Sequence, residues 1–222
     1  MTDTKTDEQI QRDVLAELQW DSRVQPNEVG VSVKNGIVTL SGHIDSYYKK
    51  WAAEEAALRV RGVVAVANEL EVKLPSSAER TDDEIAASAV RALEADTLLD
   101  GKNLKITVEK GWITVRGEVE WNFQKEDAEH ILRRLWGVKG VTNLITVKTR
   151  PVPAELKDRI EKALVRTAQL DAQRISVDVH GSRVILKGTV RSWAEREEAE
   201  RTALLAPGVT QVDNRIQVSY AA

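Results

Sequence analysis

The sequence predicts an α/β (α+β) protein built as three tandem α-β-β-α-β two-layer sandwiches, each a three-stranded mixed sheet covered on one face by two helices. Three observations predict it. One stretch is written three times without a gap: Gly62-Val63-Val64-Ala65-Val66-Ala67-Asn68-Glu69-Leu70-Glu71-Val72, then Gly137 to Val147, then Gly208 to Val218. The offsets between copies, 75 and then 71, also relate the apolar stripes that open each unit. Within each unit the apolar period switches from helical to strand spacing and back. The repeat divides the chain into 1–74, a linker at 75–81, 82–149, a linker at 150–152, and 153–222. Units of roughly 70 residues are marginally stable alone, so contacts between units or homo-oligomerisation are expected to help.

The first helix of each unit carries Ile10, Val14 and Leu18, then Ile85, Ala89 and Leu93, then Leu156, Ile160 and Leu164, one stripe at i, i+4, i+8. Thr6 to Gln9 and Thr81 to Glu84 read as capping boxes, in which side chain and backbone satisfy each other's donors. The third unit starts with Pro153 in the first turn. A strand follows with strict alternation: Val29, Val31 and Val33; Leu104, Ile106 and Val108; Ile175, Val177 and Val179. The hairpin turns are Asn35-Gly36, Lys110-Gly111 and Gly181-Ser182, suited to type I′ or II′ geometry. The second strand ends at Gly42, Gly117 and Gly188, which implies positive φ or close backbone contact.

The second helix starts near Ser46, Trp121 and Ser192, with Ser192 to Glu195 a further capping box. Ala53, Ala128 and Ala199 share one position, where a small side chain lets the helix sit close to the sheet. The helix stops at Gly62, Gly137 and Gly208. The repeated stretch then supplies the third strand, with Val66, Leu70 and Val72 and their counterparts pointing inward. Linker residues Pro75 to Arg80 read as flexible, and Thr149 to Pro153, with two prolines in three residues, as stiffer.

This pattern resembles the BON family, named for bacterial osmotically induced and nodulation-associated proteins. The hairpin ending in Gly42, Gly117 or Gly188, the helical alanine and the G-V-x-x-V-x-N-x-[LI]-x-V stretch carry the resemblance over nearly the whole chain. The resemblance implies a non-enzymatic stress or envelope-associated protein, with proposed phospholipid binding. One intracellular branch of the family joins the domain to a LysM module and is linked to potassium sensing.

Composition narrows the function. With no cysteine there is no disulfide framework and no thiolate chemistry. A net charge of −3 gives no nucleic-acid footprint. No apolar run reaches the roughly 18 residues of a membrane span. Met1 to Glu8 is polar and acidic, which reads as cytoplasmic; a membrane-peripheral or processed periplasmic form fits the same residues. The glycines form neither a phosphate loop nor a dinucleotide fingerprint. His43, His130 and His180 share no position and no metal-ligand spacing. No catalytic, cofactor or metal site is expected.

Three features repeat or stand out. Glu54, Glu129 and Glu200 follow Lys50, Lys125 and Arg196 by four residues, which reads as surface i, i+4 ion pairs. Asn68, Asn143 and Asn214 open the third strand, where a side chain hydrogen-bonding local backbone is the plain expectation. The chain has six tryptophans and a single phenylalanine. Tyr47, Tyr48, Lys49, Lys50 and Trp51, then Trp121, Phe123 and Lys125, then Trp193 fall at the starts of the second helices; the middle unit adds Trp112 and Trp136. These rings fit seams between units, a protein contact, or a lipid interface. The expected function is multivalent, non-catalytic binding or scaffolding at protein or phospholipid surfaces. The alternative is small-ligand or potassium sensing.

Overall fold

The computed structural model of the chain describes residues 5–99, 101–149, 155–167 and 174–219. Each repeat runs helix, strand, strand, helix, strand. The first has α1 (Asp7–Trp20), β1 (Val29–Lys34), β2 (Ile37–Ile44), α2 (Tyr47–Arg59) and a third strand in two pieces, β3 (Ala65–Asn68) and β4 (Glu71–Val72). The second has α3 (Asp82–Ala95), β5 (Leu104–Glu109), β6 (Trp112–Val119), α4 (Asn122–Leu132) and β7 (Gly140–Val147). The third has α5 (Leu156–Arg166), β8 (Ile175–His180), β9 (Arg183–Val190), α6 (Trp193–Leu204) and β10 (Gln211–Val218).

The middle strand of each sheet is the second in sequence. The first pairs antiparallel with it in repeats two and three, and the third pairs parallel in all three. A parallel return needs a crossover, and the second helix supplies it. The parallel register is identical in the three copies: residue n faces n+28, as Ile37 faces Ala65, Trp112 faces Gly140 and Arg183 faces Gln211. In the first repeat the ladder continues past the break at Glu69, because Glu69 N donates to Leu40 O at 2.8 Å and Lys73 N to Ile44 O at 2.8 Å.

The apolar stripe of each first helix is inside. Ile85, Ala89 and Leu93 of α3 pack with Ile113, Val115, Leu132 and Ile145. Leu156, Ile160 and Leu164 of α5 pack with Val184, Leu186 and Ile216. Ala53, Ala128 and Ala199 are fully buried, as close helix–sheet packing requires. Val66 is only half-buried, while Leu70 takes the inward place expected of it.

Gly117 and Gly188 have φ of 148° and 137°, and a Cβ on either would lie 2.3 Å from Asn103 O or 1.9 Å from Arg174 O. No other residue fits there. Both turn residues have positive φ in the first two hairpins, the type I′ pattern: 52° and 74° at Asn35 and Gly36, 52° and 81° at Lys110 and Gly111. In the third, Gly181 alone is positive at 59°.

The capping boxes at Thr6 and Thr81 form as read. At Ser192 the hydroxyl accepts from Glu195 N, but Glu195 Oε2 reaches back one residue further, to Arg191 N at 2.9 Å. The first helical residue adds an anchor the sequence does not announce. Asp7 accepts from both turn N–H groups, Asn35 and Gly36, at 2.7 and 2.9 Å, and Asp82 does the same for Lys110 and Gly111 at 2.7 and 2.8 Å. Residues 75–80, expected to be flexible, form a turn in which Ala78 N donates to Pro75 O and Ala78 is buried. Pro151 to Pro153, with the expected stiff linker and third helix start, lie outside the described residues.

The packing forms two compact bodies, one from Met1–Ser41, Ala53–Glu69 and Thr149–Ala222, the other from Gly42–Ala52 and Leu70–Lys148. The early part of α2 therefore groups with the second repeat, and its later part with the rest of the first repeat and with the third.

Lys110 is a long side chain held at positive φ, where asparagine is tolerated far better. Replacing it with the first repeat's residue, Lys110→Asn, should raise stability by roughly 0.5–1 kcal/mol in a chemical denaturation series. Unchanged or lower stability would show that Asp82 already removes the strain.

Candidate functional site

The aromatic start of α2 is committed to packing. Tyr47 lies against the core of the second repeat. The Trp51 ring meets His130 edge-on, with centroids 5.8 Å apart, and carries the Arg133 guanidinium 4.3 Å from its centroid. Arg134 stands 5.5 Å over Tyr48, and Tyr48 and Trp51 lie 5.8 Å apart. Arg133 is 6% exposed and donates to Glu129 Oε1 at 2.7 Å. Such cation–aromatic contacts strengthen as water is excluded.

A second seam, in the other compact body, uses the same positions. Trp193 opens α6, as Tyr47 opens α2, and its indole N–H donates to Val64 O at 3.1 Å. The Arg196 guanidinium sits 4.9 Å from the Trp193 centroid. By repeat register Glu197 replaces Trp51 and Glu55 replaces His130. Burial, then the Glu55 and Glu200 carboxylates, push the Glu197 carboxyl up from its ordinary value, while Arg196 opposes the shift.

The second repeat leaves two tryptophans exposed. Trp112 opens β6 on the outer sheet face, 49% exposed, with its indole N–H donating to Thr142 Oγ1 at 2.8 Å. It lies on Gly140 directly across the parallel ladder: a Cβ on Gly140 would be 2.3 Å from the ring. Trp136, 66% exposed, follows α4 at the same end of the repeat. There Lys139 N donates to Gly111 O at 2.9 Å, joining the hairpin to the segment after the helix. Lys110 and Lys139 are exposed at this end of the repeat.

The other residues singled out are dispersed. Lys49 pairs with Asp45 at 2.6 Å, and Lys50 donates to Leu70 O at 2.7 Å. Trp121 is the N-cap of α4, its N–H bonded to Gln124 Oε1 at 3.0 Å. Phe123 is partly exposed on the first turn of α4, and Lys125 is half-buried on the same helix. Gly62, Gly137 and Gly208 all have positive φ, and Gly62 and Gly137 lie against Ile10 and Ile85.

The repeated carboxylates accept from the third-strand asparagines. Asn68 Nδ2 donates to Glu54 Oε2 at 2.8 Å, Asn143 to Glu129 Oε2 at 3.2 Å, and Asn214 to Glu200 Oε2 at 2.9 Å. In the last two copies the asparagine Oδ1 also accepts from Ile145 N or Ile216 N, two residues on. The local backbone bond expected of the asparagine is there, and its amide also staples the second helix to the third strand. Arg196 caps strand carbonyls instead, donating to Ile216 O and Asn214 O. Glu129 takes its i, i+4 partner from the other direction, at Arg133.

A network the sequence reading missed fills the first repeat. Asp21 is 9% exposed between Arg23 and Arg59. The Arg23 guanidinium, seconded by Arg59, holds its carboxyl far below the ordinary range against the opposing effect of burial. Among the described residues no cluster of three or more histidine or acidic side chains is placed to hold a metal ion. Among them, too, no helix is long and apolar enough to cross a membrane.

Three mixed sheets, each backed by two helices in the order α-β-β-α-β, define a tandem repeat of one small α/β domain. The BON domain profile matches residues 6–73, 81–149 and 154–220, and the chain belongs to the BON family. It is similar to the Osmotically-inducible protein Y of Escherichia coli (strain K12), 29% identical over 146 residues, or 64% of this chain and 73% of that one. Two solved structures of CdsD, a structural protein of the Chlamydia trachomatis type III secretion system, match with 13% identity and TM-scores of 0.26 and 0.27. The matches cover 94% of this chain and 96% or 91% of those chains.

His130 gives the first seam a pH dependence. Burial, then the Arg133 and Arg134 charges, hold its imidazole below the ordinary 6.5. On acidification the unfolded chain takes up this proton first, so it binds more protons than the folded state in that window. Stability from the neutral ring is thus present above about 6.5 and lost as pH falls through the folded value. His130→Gln should flatten the decline in melting temperature between about pH 7 and pH 5. An unchanged slope would remove His130 from the account.

Proposed function

We propose that this chain is a non-catalytic binding protein, a scaffold of the osmotic-stress type, whose partner-facing surface is the hairpin end of the second repeat. One observation supports this above the others. The tryptophans that open or follow the starts of α2 and α6 are spent in seams within each compact body, whereas Trp112 stays exposed and pre-positioned. Its ring is pinned flat on Gly140, and its N–H is already bonded to Thr142. A rigid aromatic anchor loses little conformational entropy on binding. Trp136, Lys110 and Lys139 are exposed at the same end of the repeat and supply further apolar area and positive charge.

The partner this surface fits best is a protein with an apolar pocket rimmed by carboxylates. Three repeats on one chain would add avidity wherever their surfaces engage together. Trp112→Ala should cut recovery of a protein partner from lysate of osmotically stressed bacteria by about tenfold or more. Gly140→Ala, which leaves the indole present but lifts it from its seat, should cut recovery less. Recovery on anionic liposomes rather than on protein, lost in the same variants, would move the reading to phospholipid. Unchanged recovery from a folded Trp112→Ala protein would overturn it.

A further inference from the structure

The third repeat carries a groove of about 530 Å³ between α5 and α6, inside one compact body. That volume falls within the roughly 300–1,000 Å³ of small-molecule sites. Repeat register shows what opened it. In the first repeat Arg59 of α2 crosses to the α1 side, donating to Glu17 Oε1 at 2.8 Å and to Asp21 Oδ2 at 2.8 Å. The third repeat has Ala163, Thr167 and Leu205 at those three positions, and all three line the groove. The crosslink is gone, and Glu55 gives way to Arg201.

Cations rim the opening. Arg159, Lys162 and Arg166 stand on one side of α5 at i, i+3 and i+7, a row about 10 Å long. Among the described residues none of the three has a carboxylate partner. The one carboxylate in the lining, Glu198, is already held by Arg201 in a two-pronged bond of 2.9 and 2.7 Å. That pairing fixes the plane of the Arg201 guanidinium. Ile160, Ala163, Leu205 and Pro207 supply an apolar wall. No glycine loop takes part, so no phosphate-loop spacing announces the site.

We infer that this groove binds a nucleoside di- or triphosphate. The phosphate chain lies along Arg159, Lys162 and Arg166, where arginine forks suit phosphate oxygens. The base rests on the apolar wall with the Arg201 plane stacked on its face. A bare polyphosphate leaves the apolar wall uncovered, and an uncharged aromatic leaves the row without counter-charge. The groove shares no residue with the Trp112 surface, which belongs to the other compact body, so the two readings stand or fall separately.

The test uses the full chain and magnesium-free ATP at fixed ionic strength, with NMR shifts of the Thr167 and Ala206 amides as the readout. Tripolyphosphate, which has the charge but no base, and AMP, which has the base but one phosphate, are the controls. Saturable shifts with ATP are expected, and affinity about tenfold lower for either control. Arg159→Gln with Arg166→Gln should weaken ATP binding by about tenfold or more. Ala163→Glu with Leu205→Arg restores the first repeat's crosslink and should abolish binding while the remaining resonances stay in place. Tripolyphosphate binding as tightly as ATP would mean a plain polyanion patch, and AMP binding as tightly would mean that the α5 row is not read. Either result overturns the proposal, as do ATP shifts that fail to saturate or that persist in both double variants. Shifts from phosphatidylglycerol vesicles but not from ATP would give the groove to a lipid surface and overturn it too.

Discussion

The interaction on which the rest of the molecule depends is the hydrogen bond from the third-strand asparagine to the second-helix glutamate. It occurs as Asn68–Glu54, Asn143–Glu129 and Asn214–Glu200. A parallel strand that returns through a helix has no tight turn to set its register. A slip of one residue would turn Ile145 or Ile216 to the outer face. The asparagine supplies the missing constraint, since its amide fixes helix to strand while, in the second and third repeats, its carbonyl fixes the strand two residues on. The identical n to n+28 register of all three sheets is the outcome.

With the domains held so firmly, their surfaces can diverge. The position that opens the second helix carries Tyr47 in one copy and Trp193 in another, and both serve seams. The position of Trp51 carries Glu197 in the third copy, and the two seams accordingly differ in character. One is a stack of rings and guanidinium groups; the other brings carboxylates together.

The sequence made the fold legible because each repeat says the same thing at every level, in stripes, turn glycines and caps. It said less about contacts between residues far apart in the chain. Asp7 and Asp82 read as ordinary first-turn acids, and only the fold brings them 28 residues on to the hairpin amides. The repeated glutamates read as partners of the basic residue four back, because helix spacing was the visible relation. The asparagine 14 residues later is a partner in all three copies, and recurrence of both at one spacing was the clue available. The aromatic starts of the helices were read as seam, protein contact or lipid contact. Packing separates them: Trp51 and Trp193 are inside seams, and Trp112 and Trp136 are exposed. Exposure depends on which repeat covers which, and no single repeat encodes that.

The most direct measurement of the central claim is a double-mutant cycle on Asn214→Ala and Glu200→Ala in the third repeat, followed by chemical denaturation. The glutamate–asparagine staple predicts a coupling energy of about 1–2 kcal/mol, with the double variant little worse than Asn214→Ala alone. Additive effects, with coupling within about 0.3 kcal/mol of zero, would contradict it and leave the strand register to apolar packing alone.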